Sequence, residues 1–457
     1  MQRYQNILDA VGRTPLVRLN RVTDGCRTPV YGKAEFMNPG GSVKDRIGLA
    51  MIEAAENEGR LKPGGTIVEG TSGNTGLALA LAAAIKGYRC IFTMPDKMSQ
   101  EKVKLLRAFG AEVIITPTAV PPDHPENYVV KAKAITAEIP GAVLANQFYN
   151  PANPEAHYRT TGPELWEQSE GRISHFFAGA GTGGTITGTA RFLKEKNPAV
   201  QIVGVDPVGS MISPFFNTGE KVEGKPYKVE GLGNDKIPGT LDLDLVDEYV
   251  TVTDAESFQM ARRLTREEGL FVGGSAGLIT HAAVLKAKEI DDPGAFIVTV
   301  LCDWGEHYLS KAFDDEWMRE NGFLARPKRR SVHELMRSKG GVGVITVAPG
   351  TSVRMALSTV TAHDIGQLPV VLDGECVGSV AESDLMSRVI EDPAVLDQPV
   401  EFLMGAPYPV LDGHVDADEV THLLQRGNDA CLVREDGVLH GIVTRYDVVR
   451  TLTGAAG

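Results

Sequence analysis

The sequence predicts an α/β fold in two parts, a large domain at residues 1–325 and a smaller module at residues 331–457. In the large domain, short runs of apolar and β-branched residues alternate with longer helical segments, which is the pattern of parallel βαβ units. Residues 326–330, RPKRR, are basic and contain a proline, so they predict a linker. Beyond them a shorter pattern occurs twice, at about 331–392 and 398–457, which predicts two similar units that pack together.

The composition is that of an ordinary globular protein, with 42% hydrophobic and 23% charged residues. The net charge of −13 argues against general affinity for nucleic acid or for anionic membranes, so neither is expected as a partner. The five cysteines lack metal-ligand spacing, so no metal site is expected. They predict reduced thiols and, without a signal sequence, a cytoplasmic protein. No uncharged apolar run reaches the roughly 18 residues that predict a transmembrane helix.

A single lysine follows a turn at the start of a predicted helix. Pro39, Gly40 and Gly41 predict the turn, and Ser42 is placed to cap the helix that carries Lys44. A lysine buried near a helix start has no water to stabilise its charge, so its pKa falls and the neutral amine becomes a nucleophile. Such an amine can form a Schiff base with a cofactor aldehyde. The alternative is a solvated surface lysine.

A glycine-rich loop, GTSGNTG at residues 70–76, joins a predicted strand at 66–69 to a predicted helix at 77–85. A strand at 89–94 completes a βαβ unit, which places the loop at the carboxyl end of its strand. There the free backbone N–H groups of the helix start face outward and attract an anion. The alternative is a tight turn without a ligand.

A second loop of this kind, GAGTGGT at residues 179–185, follows a predicted strand at 175–178. It has more glycine and fewer side chains than the first, so its backbone can close around a phosphate group. No Lys-Ser/Thr pair follows it, which excludes a P-loop. Residues 147–154 predict a loop at the edge of the site, and residues 207–240 predict a long functional loop.

With these motifs, residues 1–325 resemble the fold-type II pyridoxal-phosphate (PLP) enzymes of the cysteine synthase and cystathionine β-synthase family, which have two open, twisted α/β subdomains. Residues 331–457 resemble a tandem CBS-domain (Bateman) regulatory module. The resemblance implies PLP as the cofactor, no haem, and a homo-oligomer, either a dimer or a tetramer. Lys44 would carry PLP and act as the catalytic base.

The resemblance also implies a role for each residue of the site. The residues that would hold PLP are Lys44 at the aldehyde, Asn74 at the ring oxygen, Ser275 at the pyridine nitrogen, and Gly181, Thr182, Gly183, Gly184 and Thr185 at the phosphate. Those that would bind the amino-acid substrate are Thr71, Ser72, Thr75, Gln147 and Gly231.

The implied chemistry is β-replacement. A serine hydroxyl at the pyridine nitrogen does not keep that nitrogen protonated, so the ring is a weaker electron sink, which suits β-elimination and disfavours transamination. The implied reaction joins L-serine and L-homocysteine to give L-cystathionine and water, with hydrogen sulfide formed from cysteine as a side reaction. The close alternative is a cysteine synthase that uses O-acetylserine and sulfide and carries a nucleotide-sensing module. A non-catalytic nucleotide-sensing scaffold is the alternative from another class.

Three positions depart from the family pattern. Phe148 and Asn234 replace tyrosines that members of the family carry, and both are expected on the side of the second substrate. Cys302 stands in a loop that usually contains proline.

The module resembles sensors of adenosine nucleotides. Thr444 and Asp447 match a Thr-x-x-Asp pattern that holds a ribose, and Gln367 and Leu368 would lie near the base. In the first unit Ala381 replaces the hydroxyl residue, so one site is expected rather than two. S-adenosylmethionine or another adenosine nucleotide is the implied effector. The alternative is a module that only mediates oligomerisation.

Overall fold

The computed structural model describes residues 3–71, 73–96, 100–121, 123–325, 332, 343–413, 415, 417–425 and 427–447. The chain divides into two compact units, Met1–Ala325 and Arg326–Gly457. The expected linker at 326–330 lies outside the described residues. In the part of the chain that the structure describes, no helix combines the length and the apolarity that a membrane span requires.

Strands and helices alternate along the first unit. The strands are β1 (Leu16–Leu19), β2 (Val30–Ala34), β3 (Thr66–Gly70), β4 (Arg89–Pro95), β5 (Glu112–Thr116), β6 (Val143–Leu144), β7 (His175–Gly179), β8 (Gln201–Pro207), β9 (Glu248–Val252) and β10 (Ile297–Leu301). The helices are α1 (Lys44–Asn57), α2 (Asn74–Lys86), α3 (Gln100–Ala108), α4 (Tyr128–Glu138), α5 (Ala152–Arg159), α6 (Thr161–Gln168), α7 (Gly184–Lys196), α8 (Ile212–Thr218), α9 (Asp254–Glu268), α10 (Gly274–Ile290) and α11 (Asp315–Glu320).

These strands form two sheets. The larger has the order β1-β2-β10-β7-β8-β9, and its strands are parallel except for the antiparallel pair β1 and β2. The smaller has the order β5-β4-β3-β6 and is parallel throughout. Each sheet has its own apolar core, which includes Phe176 and Val298 in the larger and Leu79 and Phe92 in the smaller. Because the strands of a parallel sheet point the same way, the loops at their carboxyl ends gather at one edge.

The structure differs from the sequence-based prediction at α8. The prolines and glycines of residues 207–240 predict a loop, yet Ile212–Thr218 is helical. Proline is tolerated in the first turn of a helix, where its missing N–H has no partner to lose, and Pro214 lies there. Two side chains accept from N–H groups at this helix start: Ser210 Oγ from Ile212 at 3.3 Å and Asp206 Oδ2 from Ser213 at 3.1 Å. These bonds stabilise the short helix despite its composition.

The second unit contains two repeats of one pattern. Its helices are α12 (Val353–His363), α13 (Glu382–Glu391) and α14 (Ala417–Gln425), and its strands are β11 (Gln367–Leu372), β12 (Glu375–Ala381), β13 (Val410–Asp412), β14 (Ala430–Glu435) and β15 (Val438–Thr444). β11 pairs with β12, and β14 pairs with β15, each as an antiparallel hairpin. An apolar cluster contains Cys376 from the first repeat and Leu432 from the second. The repeats therefore pack together, because neither buries enough apolar surface alone.

Candidate active site

A cavity in the first unit lies between loops that follow strands of both sheets. The predicted site residues that line it are Lys44, Thr71, Asn74, Thr75, Gln147, Gly181, Thr182 and Gly231. Gly183, Gly184, Thr185 and Ser275 lie outside its lining, and Ser72 lies outside the described residues. Residues from widely separated parts of the sequence therefore meet at one place.

Lys44 is the first residue of α1, and its side chain lines the cavity. The expected cap differs in detail: Val43 occupies the N-cap position, and Ser42 Oγ accepts from the Lys44 N–H at 3.2 Å. Burial lowers the pKa of Lys44, and the neighbouring Cys302 and Asp303 oppose this change. The lowered pKa increases the neutral, nucleophilic fraction of the amine.

Asn74, the first residue of α2, contacts a carboxylate from the segment after β10. Asn74 Nδ2 donates to Asp303 Oδ2 at 2.7 Å, and the Tyr308 hydroxyl donates to the same oxygen at 2.6 Å. The other oxygen, Oδ1, is buried without a hydrogen-bond partner in the described structure. Asp303 was not predicted as a site residue. It is the second residue after β10, at the edge where loops gather, and this position points to a role in the site.

Gln147 joins three loops. Its side-chain Oε1 accepts from the Thr75 hydroxyl at 2.6 Å, after β3. Its backbone carbonyl accepts from Asn153 Nδ2 at 2.8 Å, and the same Nδ2 donates to Thr182 Oγ1 at 3.0 Å, after β7. The expected substrate loop and the expected phosphate loop are therefore connected through one asparagine.

The expected phosphate loop at 181–185 leaves no room for a side chain at its glycines. A Cβ on Gly181 would lie 2.2 Å from the Gly231 carbonyl oxygen, and one on Gly184 would lie 1.8 Å from Asn153 Oδ1. Gly183 has φ +87°, a left-handed conformation that favours glycine. The loop leads into the 13 residues of α7, whose first N–H groups lack partners within the helix.

Together these features fit PLP. The cavity brings a backbone cradle for an anion and a buried lysine amine to one place, and PLP carries a phosphate at one end and an aldehyde near the other. No group of His, Cys, Asp and Glu that could hold a metal ion is found among the described residues.

Ser275 lies in the first turn of α10, which begins at Gly274. Ser275 is 5% exposed and lies beside the Cys302 thiol, which donates to the Val300 carbonyl oxygen at 3.7 Å. Burial raises the pKa of Cys302 to about 12, so the thiol stays protonated. The departure from the family pattern at position 302 therefore places a neutral thiol beside both Ser275 and Lys44.

A cluster of ion pairs at the cavity was also not predicted from the sequence. The Glu230 carboxylate accepts from Lys102 Nζ at 2.5 Å and from Lys311 Nζ at 2.6 Å. Lys102 lies on α3 and Glu230 on the long loop 207–240, so the pair connects segments of the two sheets. No local pattern identifies such a pair, because its members are 128 residues apart.

A second cavity adjoins the first. Gly70, Tyr128 and Phe148 line both, and Asn234 lines the second. Phe148 and Asn234, expected on the side of the second substrate, therefore lie together beside the cavity of Lys44.

In the second unit, Thr444 ends β15, and its N–H and hydroxyl both donate to Asp447 Oδ2 at 2.7 Å. Gln367 and Leu368 begin β11, which belongs to the other hairpin of the same unit. Gln367 Oε1 accepts from the Tyr408 hydroxyl, and Leu368 is fully buried.

The profile of the family described as "Pyridoxal-phosphate dependent enzyme" matches residues 7–303. The chain belongs to this family. Residues 332–391 and 400–454 match the CBS domain, so tandem CBS domains follow the PLP-dependent enzyme unit. The predicted fold class and the predicted cofactor, PLP, are confirmed by these matches.

Similar proteins indicate which members of the PLP-dependent enzyme family this chain most resembles. The chain is 40% identical over 464 residues to "Cystathionine beta-synthase" of Dictyostelium discoideum, covering 98% of this chain and 92% of the relative. It is 45% identical over 393 residues to the protein of the same name from Oryctolagus cuniculus, covering 84% of this chain and 71% of that relative. A solved structure of a hydrogen sulfide-producing enzyme from Fusobacterium nucleatum is 38% identical with a TM-score of 0.62, covering 67% of this chain and all of that one. The predicted resemblance to this group is confirmed.

Proposed function

We propose that the protein is a cystathionine β-synthase, which replaces the hydroxyl of L-serine with the thiol of L-homocysteine to give L-cystathionine and water. The observation that carries this proposal is the meeting of Lys44 with two glycine-rich loops around one cavity. The loop residues that line it include Thr71, Asn74, Thr75, Gly181 and Thr182. The similarity to a relative of that name along almost the whole chain supports the choice of reaction. Hydrogen sulfide production from cysteine is proposed as a side activity.

Lys44 is proposed to carry the cofactor and to move the proton. PLP, when bound, supplies an electron sink for the negative charge that develops at Cα of the amino acid. The lowered pKa of Lys44 allows its neutral amine to accept the Cα proton of serine. The same amine, once protonated, is proposed to donate a proton to the departing hydroxyl group.

The other site residues are proposed to bind and orient the cofactor and the amino-acid substrate. Asn74 and Ser275 would contact the ring, and Gly181, Thr182, Gly183, Gly184 and Thr185 would hold the phosphate. Thr71, Ser72, Thr75, Gln147 and Gly231 would hold the amino-acid substrate. The second cavity, beside Phe148 and Asn234, offers room for the thiol substrate next to the first.

A substrate comparison tests the proposal. Turnover of L-serine with L-homocysteine is measured against turnover of O-acetylserine with sulfide, each with and without S-adenosylmethionine. The proposal expects a higher kcat/KM for the first pair. Faster use of the second pair would instead identify a cysteine synthase.

Lys44→Ala tests the role of the amine. We expect the activity to fall at least about a thousandfold, because the base is lost, and the visible absorbance of the lysine-linked cofactor to disappear. Lys62→Ala, a change at an exposed lysine, is the matched control and should leave both unchanged. A fully active Lys44→Ala protein would contradict the assignment.

The module is proposed to bind S-adenosylmethionine or a related adenosine nucleotide through Gln367, Leu368, Thr444 and Asp447. The chain is further proposed to form a homo-oligomer, a dimer or a tetramer, in the cytoplasm. All five cysteines are free thiols, which supports a reducing compartment.

A further inference from the structure

Glu69 is a buried acid that the proposed reaction does not use. It lies on β3, is 3% exposed, and has no cation paired with it in the described structure. Its two oxygens accept from backbone N–H groups of the loop after β6: Oε2 from Asn146 at 2.7 Å and Oε1 from Gln147 at 3.3 Å. Because β3 and β6 are neighbours, with Val68 opposite Leu144, this carboxylate faces the start of that loop.

The loop has a backbone conformation that such a partner can stabilise. Asn146 has φ +55°, a left-handed conformation in which asparagine costs less than most residues with a side chain but more than glycine. An ionised carboxylate accepts strongly from backbone N–H groups, so Glu69 can hold the loop in this conformation. The conformation sets the direction in which the side chain of Gln147 leaves the backbone.

The side-chain amide of Gln147 is also oriented. Its Oε1 accepts from the Thr75 hydroxyl, so its Nε2 is the end that carries free N–H donors. An amide NH2 held in this way can donate to an anionic group in the cavity.

We propose that Glu69 is a positioning residue that fixes the loop and the amide of Gln147, so that Gln147 binds the carboxylate of the amino-acid substrate. This inference rests on the proposed function, because it takes an amino acid as the ligand of Gln147. Glu69 does not line the cavity of Lys44, where the cofactor and the amino acid would bind, and it lines the adjoining second cavity.

The first test is Glu69→Gln. Glutamine has the same size but offers one acceptor oxygen to two N–H donors and turns its own NH2 group toward the other donor. We expect the Kd and the KM for L-serine to rise about tenfold. The kcat should change much less, because the substrate carboxylate is held equally before and during the chemical step.

Glu268→Gln is the matched control. The Glu268 carboxylate also accepts from backbone N–H groups, those of Asn20, Arg21 and Val22, but none of these residues lines the cavity. The same chemical change at this turn should leave serine binding unchanged.

Serine binding is measured on the holoenzyme by the change in cofactor absorbance as L-serine is added. Absence of any response in the unmodified protein would overturn the proposed function. A normal response there, with an unchanged Kd in Glu69→Gln, would overturn the inference about Glu69 alone. If Glu69→Gln fails to fold, Glu69→Asp keeps both oxygens on a shorter side chain and should give a smaller rise in Kd; an unchanged Kd would again overturn the inference.

A second substitution separates positioning from a general loss of structure. If Glu69 acts through Gln147, then Glu69→Gln should not weaken serine binding further in a protein that already carries Gln147→Ala. Additive effects of the two substitutions would contradict the proposal.

The pH dependence of serine binding is an independent test of the role proposed for Glu69. Burial raises the pKa of Glu69 to about 7, so the carboxylate that accepts both bonds forms only as the pH rises through this value. Serine binding to the unmodified protein should therefore weaken from about pH 8 to about pH 6 more steeply than binding to Glu69→Gln. Tyr128 and Lys133 on α4, and Asp235 and Lys236 on the long loop, also border this region, but they are the same in both proteins. Parallel pH profiles would contradict the proposal.

Discussion

Gly184 shows how tightly the proposed phosphate loop is packed. A methyl group there would overlap Asn153 Oδ1, so Gly184→Ala must displace Asn153 and weaken its bonds to Gln147 and Thr182. We expect PLP affinity to fall at least about tenfold, which corresponds to the loss of one or two hydrogen bonds. Retention of PLP during dialysis measures this. Gly366→Ala, where nothing lies within 4 Å of the added methyl group, should retain the cofactor normally; equal retention by both variants would contradict the expectation.

At the scale of single residues, the sequence predicted those site residues whose amino-acid type alone indicates a special backbone conformation or a specific chemistry. The glycines of 181–185 and the lysine after a glycine turn could be recognised because few other residues suit those backbones and that chemistry. Asp303 and Glu230 could not be assigned in this way. Their partners, Asn74 and Lys102, lie 229 and 128 residues away, and only the folded chain brings these side chains together.

At the scale of elements, α1 is fixed by a buried ionic cluster two residues beyond Lys44. Arg46 donates to Glu35 at 2.7 and 2.8 Å and to Glu164 at 2.7 and 2.8 Å. Lys33, fully buried on β2, donates to Glu164 at 2.7 Å. Burial opposes ionisation of Glu35, but Arg46, Lys33 and Thr14 together outweigh burial and lower the pKa of Glu35 to about 2. The stability that Glu35 contributes is therefore present at neutral pH and is lost as the pH falls through about 2.

Arg46→Met should destabilise the protein strongly. It leaves the buried Glu35 and the partly buried Glu164 with fewer compensating charges, for which we expect a loss of about 3–5 kcal/mol in the free energy of unfolding. Denaturant unfolding measures this loss. Arg60→Met removes an exposed pair with Glu58 and should cost less than about 1 kcal/mol. Similar losses in both variants would show that the buried cluster has no special role.

Most strands of the large domain could be predicted, because buried parallel strands are short apolar runs next to glycine turns. The order of the strands could not. β10 pairs with β2 and β7, which lie far apart in the chain, and no local pattern specifies such neighbours. The start of α10 at Gly274 could not be predicted from the sequence either. Glycine is a weak helix former, and the glycine-containing stretch before it resembles a turn.

At the scale of the whole molecule, the tandem module has its own apolar clusters, one of which includes Val370 and Val380 and another Val433 and Val443. A ligand of the folded module stabilises it by mass action. We expect one S-adenosylmethionine per chain and a rise in the thermal midpoint of the module, equivalent to about 3 kcal/mol at a hundredfold excess over Kd.

Thr444→Ala should remove most of that binding, because it removes the hydroxyl proposed to contact the ribose. Calorimetric titration gives the affinity and the stoichiometry. Thr361→Ala, which changes an exposed hydroxyl bonded within its own helix, is the control and should bind normally. Two molecules of S-adenosylmethionine per chain, or unchanged binding by Thr444→Ala, would contradict the single-site expectation.

The side chain of Asn153 has a consequence that extends beyond its own contacts. One NH2 group serves both the Gln147 carbonyl and the Thr182 hydroxyl, so neither loop can be displaced without disturbing the other. The free-energy losses caused by substitutions in the two loops should therefore not be additive. Tolerated variation in one of them should require a compensating change in the other, or at the asparagine that they share.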